Sequence, residues 1–189
     1  MSLKRILFMG MPGAGKSTQA RLLINPPYSL KHISTGDLIR EAVKREDSLV
    51  MPYKDHMDAG GYLPDPETFE LITKELKDLD QWKGYVFDGA IRTIPQAKFA
   101  LRGNLVDKVL LFNLREEEII RRLTKRYETG KRPDDALDVV LKRIKKYKKE
   151  TEPVIDYLTG KGIPIYMMNA SPSVGEIHQR VLRILDLEK

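Results

Sequence analysis

Gly10-Met11-Pro12-Gly13-Ala14-Gly15-Lys16-Ser17-Thr18 follows a short apolar run, Ile6-Leu7-Phe8-Met9, and leads into a helical pattern, Gln19-Ala20-Arg21-Leu22-Leu23. Strand, glycine-rich turn, Gly-Lys-Ser and helix, in that order, complete the phosphate-binding loop pattern G-x-x-x-x-G-K-[ST]. Glycines let successive backbone N–H groups turn inward and cup phosphate oxygens. The helix that follows adds its unpaired N–H groups and the positive end of its dipole. Lys16 can then reach the outer phosphates, and the Ser17 hydroxyl can hold Mg²⁺. The ordinary alternative, a Gly/Pro loop that happens to precede a helix, fits less well because the full motif stands in its expected context.

Outward from this loop, apolar runs alternate with amphipathic stretches. Lys31-His32-Ile33, Tyr85-Val86-Phe87, Lys108-Val109-Leu110-Leu111-Phe112-Asn113 and Ile163-Pro164-Ile165-Tyr166-Met167 read as further strands. The helical patterns between them predict an α/β protein, a five-stranded parallel sheet covered by helices in the P-loop NTPase fold. Ligands on such sheets bind at the carboxyl ends of the strands, where the P-loop, Ser34-Thr35, Asp88-Gly89 and Asn113 fall. Asp37 is expected to cap the helix that follows it, and Asp65 the helix over Pro66 to Leu79, with Phe69, Ile72, Leu76 and Leu79 buried. Thr93 and Gln96 have capping-box spacing, as do Ser173 and Glu176. A long basic helix is expected to bury Leu137, Val140, Leu141, Ile144 and Tyr147, expose its lysines, and break at Pro153.

The 189 residues suit one domain, with a small helical insertion at 34–63 and a short polar loop at 126–136. There is no cysteine, which rules out disulfides and thiolate metal sites. No apolar run approaches a membrane span and no signal-peptide pattern is seen, so no membrane partner and a cytoplasmic location are expected. The net charge of +6 suggests an acidic ligand, with nucleotide phosphates and nucleic acid both candidates.

From Met9 to Arg143 the chain resembles the adenylate kinases, within the nucleoside monophosphate kinase family. Four ordered blocks carry the resemblance: the P-loop, Ile33-Ser34-Thr35-Gly36-Asp37-Leu38-Ile39-Arg40, Asp88-Gly89-Ala90-Ile91-Arg92-Thr93 and Arg132-Pro133-Asp134-Asp135. The chemistry agrees with the likeness. Transfer between two nucleotides needs no general base, because the attacking phosphate oxygen is already an anion; it needs cations and positioning. Arginine suits this, since its planar fork grips phosphate and stays charged.

The resemblance implies the following roles. Gly13, Ala14, Gly15, Lys16, Ser17 and Thr18 hold the ATP phosphates, Arg122 and Arg126 contact donor adenine and phosphates, and the Pro172 backbone contacts donor adenine. Arg40 and Arg92 bind the AMP phosphate beside Gly36 and Gly89, with Thr35, Met57, Gly61, Tyr62, Leu63 and Gln96 around its base. Arg132 and Arg143 close on the transferring group, so Lys16, Arg92, Arg122, Arg132 and Arg143 form the catalytic set. Ser17 and Asp88 orient Mg²⁺, Asp88 through water. The Gln96 amide can donate and accept at once, which matches an adenine edge; a merely capping glutamine is the alternative.

The sequence departs from the family in three places. Ala90-Ile91 replaces the usual Phe-Pro, removing a backbone constraint beside the AMP phosphate. Asn169 stands for the usual Asp near the last strand. The lid is short, with no room for a zinc-bearing or hairpin lid. The implied reaction is ATP + AMP ⇌ 2 ADP with Mg²⁺, by a monomer as default and without a nucleic-acid partner. A broader nucleoside monophosphate kinase and a nucleic-acid-binding P-loop protein are the competing readings.

Overall fold

In a computed structural model, the structure describes residues 4–77, 79, 81–130 and 135–187. Strands β1 (Lys4–Gly10), β2 (Lys31–Ser34), β3 (Gly84–Asp88), β4 (Lys108–Asn113) and β5 (Ile165–Asn169) form one sheet in the order β2-β3-β1-β4-β5. Every adjacent pair is parallel. Each parallel step needs a crossover, and the helices supply it.

Side chains alternate across β1 and feed two cores. Ile6 and Phe8 join Val86, Leu110 and Phe112 on one face, under α1 (Lys16–Arg21), α6 (Glu116–Glu128), α7 (Leu137–Lys146) and α9 (Val174–Ile184). Leu7 and Met9 join Tyr85, Phe87, Val109 and Leu111 on the other, under α4 (Asp65–Glu75), α5 (Ile94–Arg102) and α8 (Glu152–Gly160). Strand β4 is buried through Val109–Phe112, as its unbroken apolar run requires. Edge strand β5 leaves Tyr166 and Met167 exposed.

Helix α1, on one face, follows β1, while α5, on the other, follows β3. A crevice therefore opens between these neighbouring strands at their carboxyl ends. Beside it lie α2 (Thr35–Lys44), a 3₁₀ turn (Met51–Tyr53) and α3 (Lys54–Asp58), which share a small apolar cluster of Ala42, Val50, Leu63 and Leu71.

Four local expectations change. Ser34, not Asp37, caps α2, its hydroxyl accepting from the Asp37 N–H at 3.3 Å. Helix α4 already includes Asp65 and buries Thr68, Leu71 and Ile72, while Phe69 stacks on Phe99 at 4.2 Å. The Thr93 hydroxyl does cap α5, but the Gln96 side chain turns to Arg92 and Asp65 instead of closing a capping box. Helix α7 buries Val140 and Ile144 yet exposes Leu137 and Leu141, because only the Val140–Ile144 stripe packs into the core. The break near Pro153 is a π turn, Tyr147–Thr151, that carries α7 into α8. Among the described residues no helix is long and apolar enough to cross a membrane.

Candidate active site

The P-loop leaves β1 through Gly10, whose φ of 136° is open to glycine and strained for other residues. A Cβ there would also lie 2.4 Å from the Phe112 carbonyl oxygen, so the loop can start this close to β4 only without a side chain. The helix α1 that follows begins at Lys16. Its ammonium folds back to donate to the Gly10 and Met11 carbonyls at 2.7 and 2.9 Å. Burial, with Arg92, Arg143 and Arg126 nearby, lowers its pKa to about 8 against the raising effect of Asp88.

Asp88 ends β3 opposite Phe8 and Ser34. Burial alone would push its pKa up. The His32 hydrogen bond, the Lys16 charge and the Ser17 hydroxyl outweigh that and hold it below the ordinary carboxylate value. The Ser17 hydroxyl donates to Asp88 Oδ2 at 2.5 Å, and His32 Nε2 lies 3.1 Å from the same oxygen. A hydroxyl and a carboxylate at the mouth of a phosphate cup are hard oxygen donors. They fit Mg²⁺, which keeps several waters and takes few protein ligands.

A cavity of ≈ 440 Å³ runs from the P-loop to the helical segment beside it. Gly13, Gly15, Lys16, Ser17 and Thr18 line one end; Gly36, Arg40, Met57, Gly61, Tyr62 and Leu63 line the other, with Asp88, Gly89, Arg92, Arg126 and Arg143 between. Most of the expected residues thus meet in one space. Ala14, Thr35, Gln96, Arg122 and Pro172 are not among its lining residues. Thr35 is buried, its hydroxyl on the Gly89 carbonyl at 2.9 Å. The Gln96 amide oxygen accepts from the Arg92 N–H at 2.7 Å, and its nitrogen donates to Asp65 at 2.8 Å. Arg122 pairs with Glu118 and donates to the Ala170 carbonyl at 3.1 Å, beside the exposed Pro172 loop. Arg132 lies outside the described residues, as do its neighbours 131, 133 and 134.

The arginines that meet the cavity are held in two ways. Arg40 pairs with Asp37, and Arg126 and Arg143 both pair with the fully buried Asp135, Arg126 Nη2 at 2.7 Å and Arg143 Nη1 at 3.1 Å. Arg92 donates through Nε to the Gly89 carbonyl at 2.7 Å. Burial lowers its pKa, but a guanidinium stays charged at any ordinary pH. The sequence reading assigned no role to Asp135 or His32. Asp135 carried a signal, since it closes the Arg-Pro-Asp-Asp block; His32 carried only its place near the end of a strand.

Comparison with known proteins points one way. A family model described as adenylate kinase matches residues 8–163. The chain is 38% identical over 162 residues to an adenylate kinase of Parabacteroides distasonis, covering 83% of this chain and 85% of that one. It is 36% identical over 187 residues to one of Leptospira biflexa, covering 96% and 99%. It is also 34% identical to one of Methanothrix thermoacetophila, covering 95% and 97%.

Proposed function

The chain belongs to the adenylate kinase family and is a phosphotransferase, and from this premise we propose that its cleft moves a phosphoryl group from ATP to AMP, giving two ADP reversibly. The observation that carries the reading is one continuous cavity with a phosphate cup at one end, Arg40 toward the other, and Arg92, Arg126 and Arg143 between. One nucleotide needs only one such end.

The donor's phosphates sit in the loop Gly13–Thr18, where backbone N–H groups and the start of α1 meet negative charge. Lys16 leaves the Gly10 and Met11 carbonyls for the outer phosphates. Arg40 and Arg92 take the acceptor's phosphate, and Arg126 and Arg143 face the transferring group. Ser17 and Asp88 hold Mg²⁺ directly or through water, and the bound ion neutralises charge on the donor's phosphates. The segment 34–63 serves as the acceptor-binding insertion of one domain, and 126–136, with Arg132, as its lid. Excluding water while the cleft is closed prevents loss of the phosphoryl group to hydrolysis.

A coupled assay with AMP, CMP, UMP and GMP as acceptors, each with ATP and with GTP, tests this. AMP with ATP should give the highest kcat/KM. Arg92→Ala should lower it by about 10³ or more. A different best acceptor would overturn the assignment to AMP and favour the broader kinase that Ala90-Ile91 suggests.

A further inference from the structure

The ring of Tyr62 receives two cations. The Arg92 guanidinium carbon is 5.0 Å from its centroid and Lys146 Nζ is 4.7 Å from it. The Tyr62 hydroxyl lies 3.3 Å from Thr151 Oγ1, and the Thr151 hydroxyl donates to the Arg92 carbonyl at 3.0 Å. Thr151 has one proton and gives it to Arg92, so the Tyr62 hydroxyl is the donor to Thr151. Ring, hydroxyl and backbone thus close a circuit from the acceptor segment, through the last residue of the π turn, to Arg92. Thr151 is 3% exposed, so its two hydrogen bonds are shielded from water, while Tyr62 and Arg92 are half-buried at the wall of the cleft.

The way Arg92 is held sets it apart. Asp37 holds Arg40, and Asp135 holds Arg126 and Arg143. A carboxylate neutralises its arginine and competes with an incoming phosphate. Among the described residues Arg92 has no carboxylate partner; its guanidinium meets the Gly89 carbonyl, the Thr35 hydroxyl at 3.4 Å and the Tyr62 ring. An aromatic face attracts a cation without cancelling its charge, and the attraction grows where water is excluded.

We propose that Tyr62 is the positioning residue for Arg92. Its ring holds the guanidinium in place without an ion pair, and its hydroxyl ties the acceptor segment to the α7–α8 junction through Thr151. Arg92 therefore meets the acceptor phosphate without first giving up an ion pair. The proposal rests on the acceptor reading of this end of the cleft.

Steady-state kinetics and a double-mutant cycle test it. Tyr62→Leu should raise KM for AMP by about tenfold while KM for ATP stays put. Tyr62→Phe keeps the ring and loses only the Thr151 bond, and should raise it by about threefold. In an Arg92→Ala background, Tyr62→Leu should add little, because the group it positions is gone. Equal losses from Leu and Phe, or full multiplication of the Tyr62 and Arg92 effects, would overturn the proposal, the latter showing that the ring serves AMP directly. Binding of a non-hydrolysable ATP analogue with wild-type affinity certifies that a variant is folded; Tyr62→Met replaces Tyr62→Leu if the latter is not. Failure of the acceptor reading itself would appear in the unmodified protein, as a best acceptor other than AMP.

Discussion

At the scale of single residues, the site is governed by how each charge is compensated before a nucleotide arrives. Lys16 is lowered to about 8 chiefly by burial, while an unfolded lysine keeps a value of about 10.5. Between these values the unfolded chain binds a proton that the folded one has shed, so this group's contribution to stability rises with pH across that window. A polyphosphate at Lys16 restores the charged form. Calorimetric titration with a non-hydrolysable ATP analogue, in buffers of different ionisation enthalpy, should therefore show uptake of up to one proton near pH 9 and almost none at pH 6.5. Lys16→Met should abolish the uptake. Asp135 is the second case: a fully buried carboxylate that faces two arginines, each about a quarter exposed. Asp135→Ala removes the buried carboxylate that both cations share and should cost about 3 kcal/mol, at the low end for a broken buried pair because the arginines keep some contact with water. Urea denaturation reads that cost directly. No spacing rule pairs Asp135 with two arginines; only the approach of α6 to α7 does.

At the scale of elements, caps and turns decide where the arginines stand. The Thr93 hydroxyl accepts from the Gln96 N–H at 3.3 Å and donates to Asp65 at 2.9 Å, so one group starts α5 and joins it to α4. Thr93→Ala should cost about 1.5 kcal/mol, seen as a lower urea midpoint with an unchanged slope. The residue before it is Arg92, so KM for AMP should rise as well. The Thr93 cap, the crossover helices and the buried β4 run were legible in the sequence because each depends on residues a few positions apart. The π turn was not. Pro153 forecast a break, but the form of the break depends on fitting Tyr147 and Thr151 into buried positions beneath the cleft. The caps of α2 and α4 were misplaced for a related reason. Asp37 and Asp65 have the right side chains for caps, but their carboxylates serve Arg40 and Gln96 instead.

At the scale of the whole molecule, the net charge of +6 surrounds a cleft built for anions. Long-range attraction of this kind is screened within about 10 Å at 0.1 M salt. The kcat/KM for either nucleotide should therefore fall by about tenfold between 0.01 and 0.2 M salt, through association rather than the chemical step, and stopped-flow binding can separate the two. The lysines of α7 and the π turn add to the total charge, but Lys142, Lys146 and Lys148 pair with Asp138, Glu150 and Glu116. Family, sheet and phosphate-loop motif were determined by the sequence itself, because glycine spacing, apolar alternation and ordered motifs are local properties of the chain. Arg40, Lys142 and Lys146 meet carboxylates three or four positions away on their own stretch of helix, but what Arg92, Arg126 and Arg143 meet was decided by the tertiary structure alone. Ser17 and Asp88 are 71 positions apart, and Tyr62 and Thr151 are 89, so these contacts arise only when the strands pair and the helices pack.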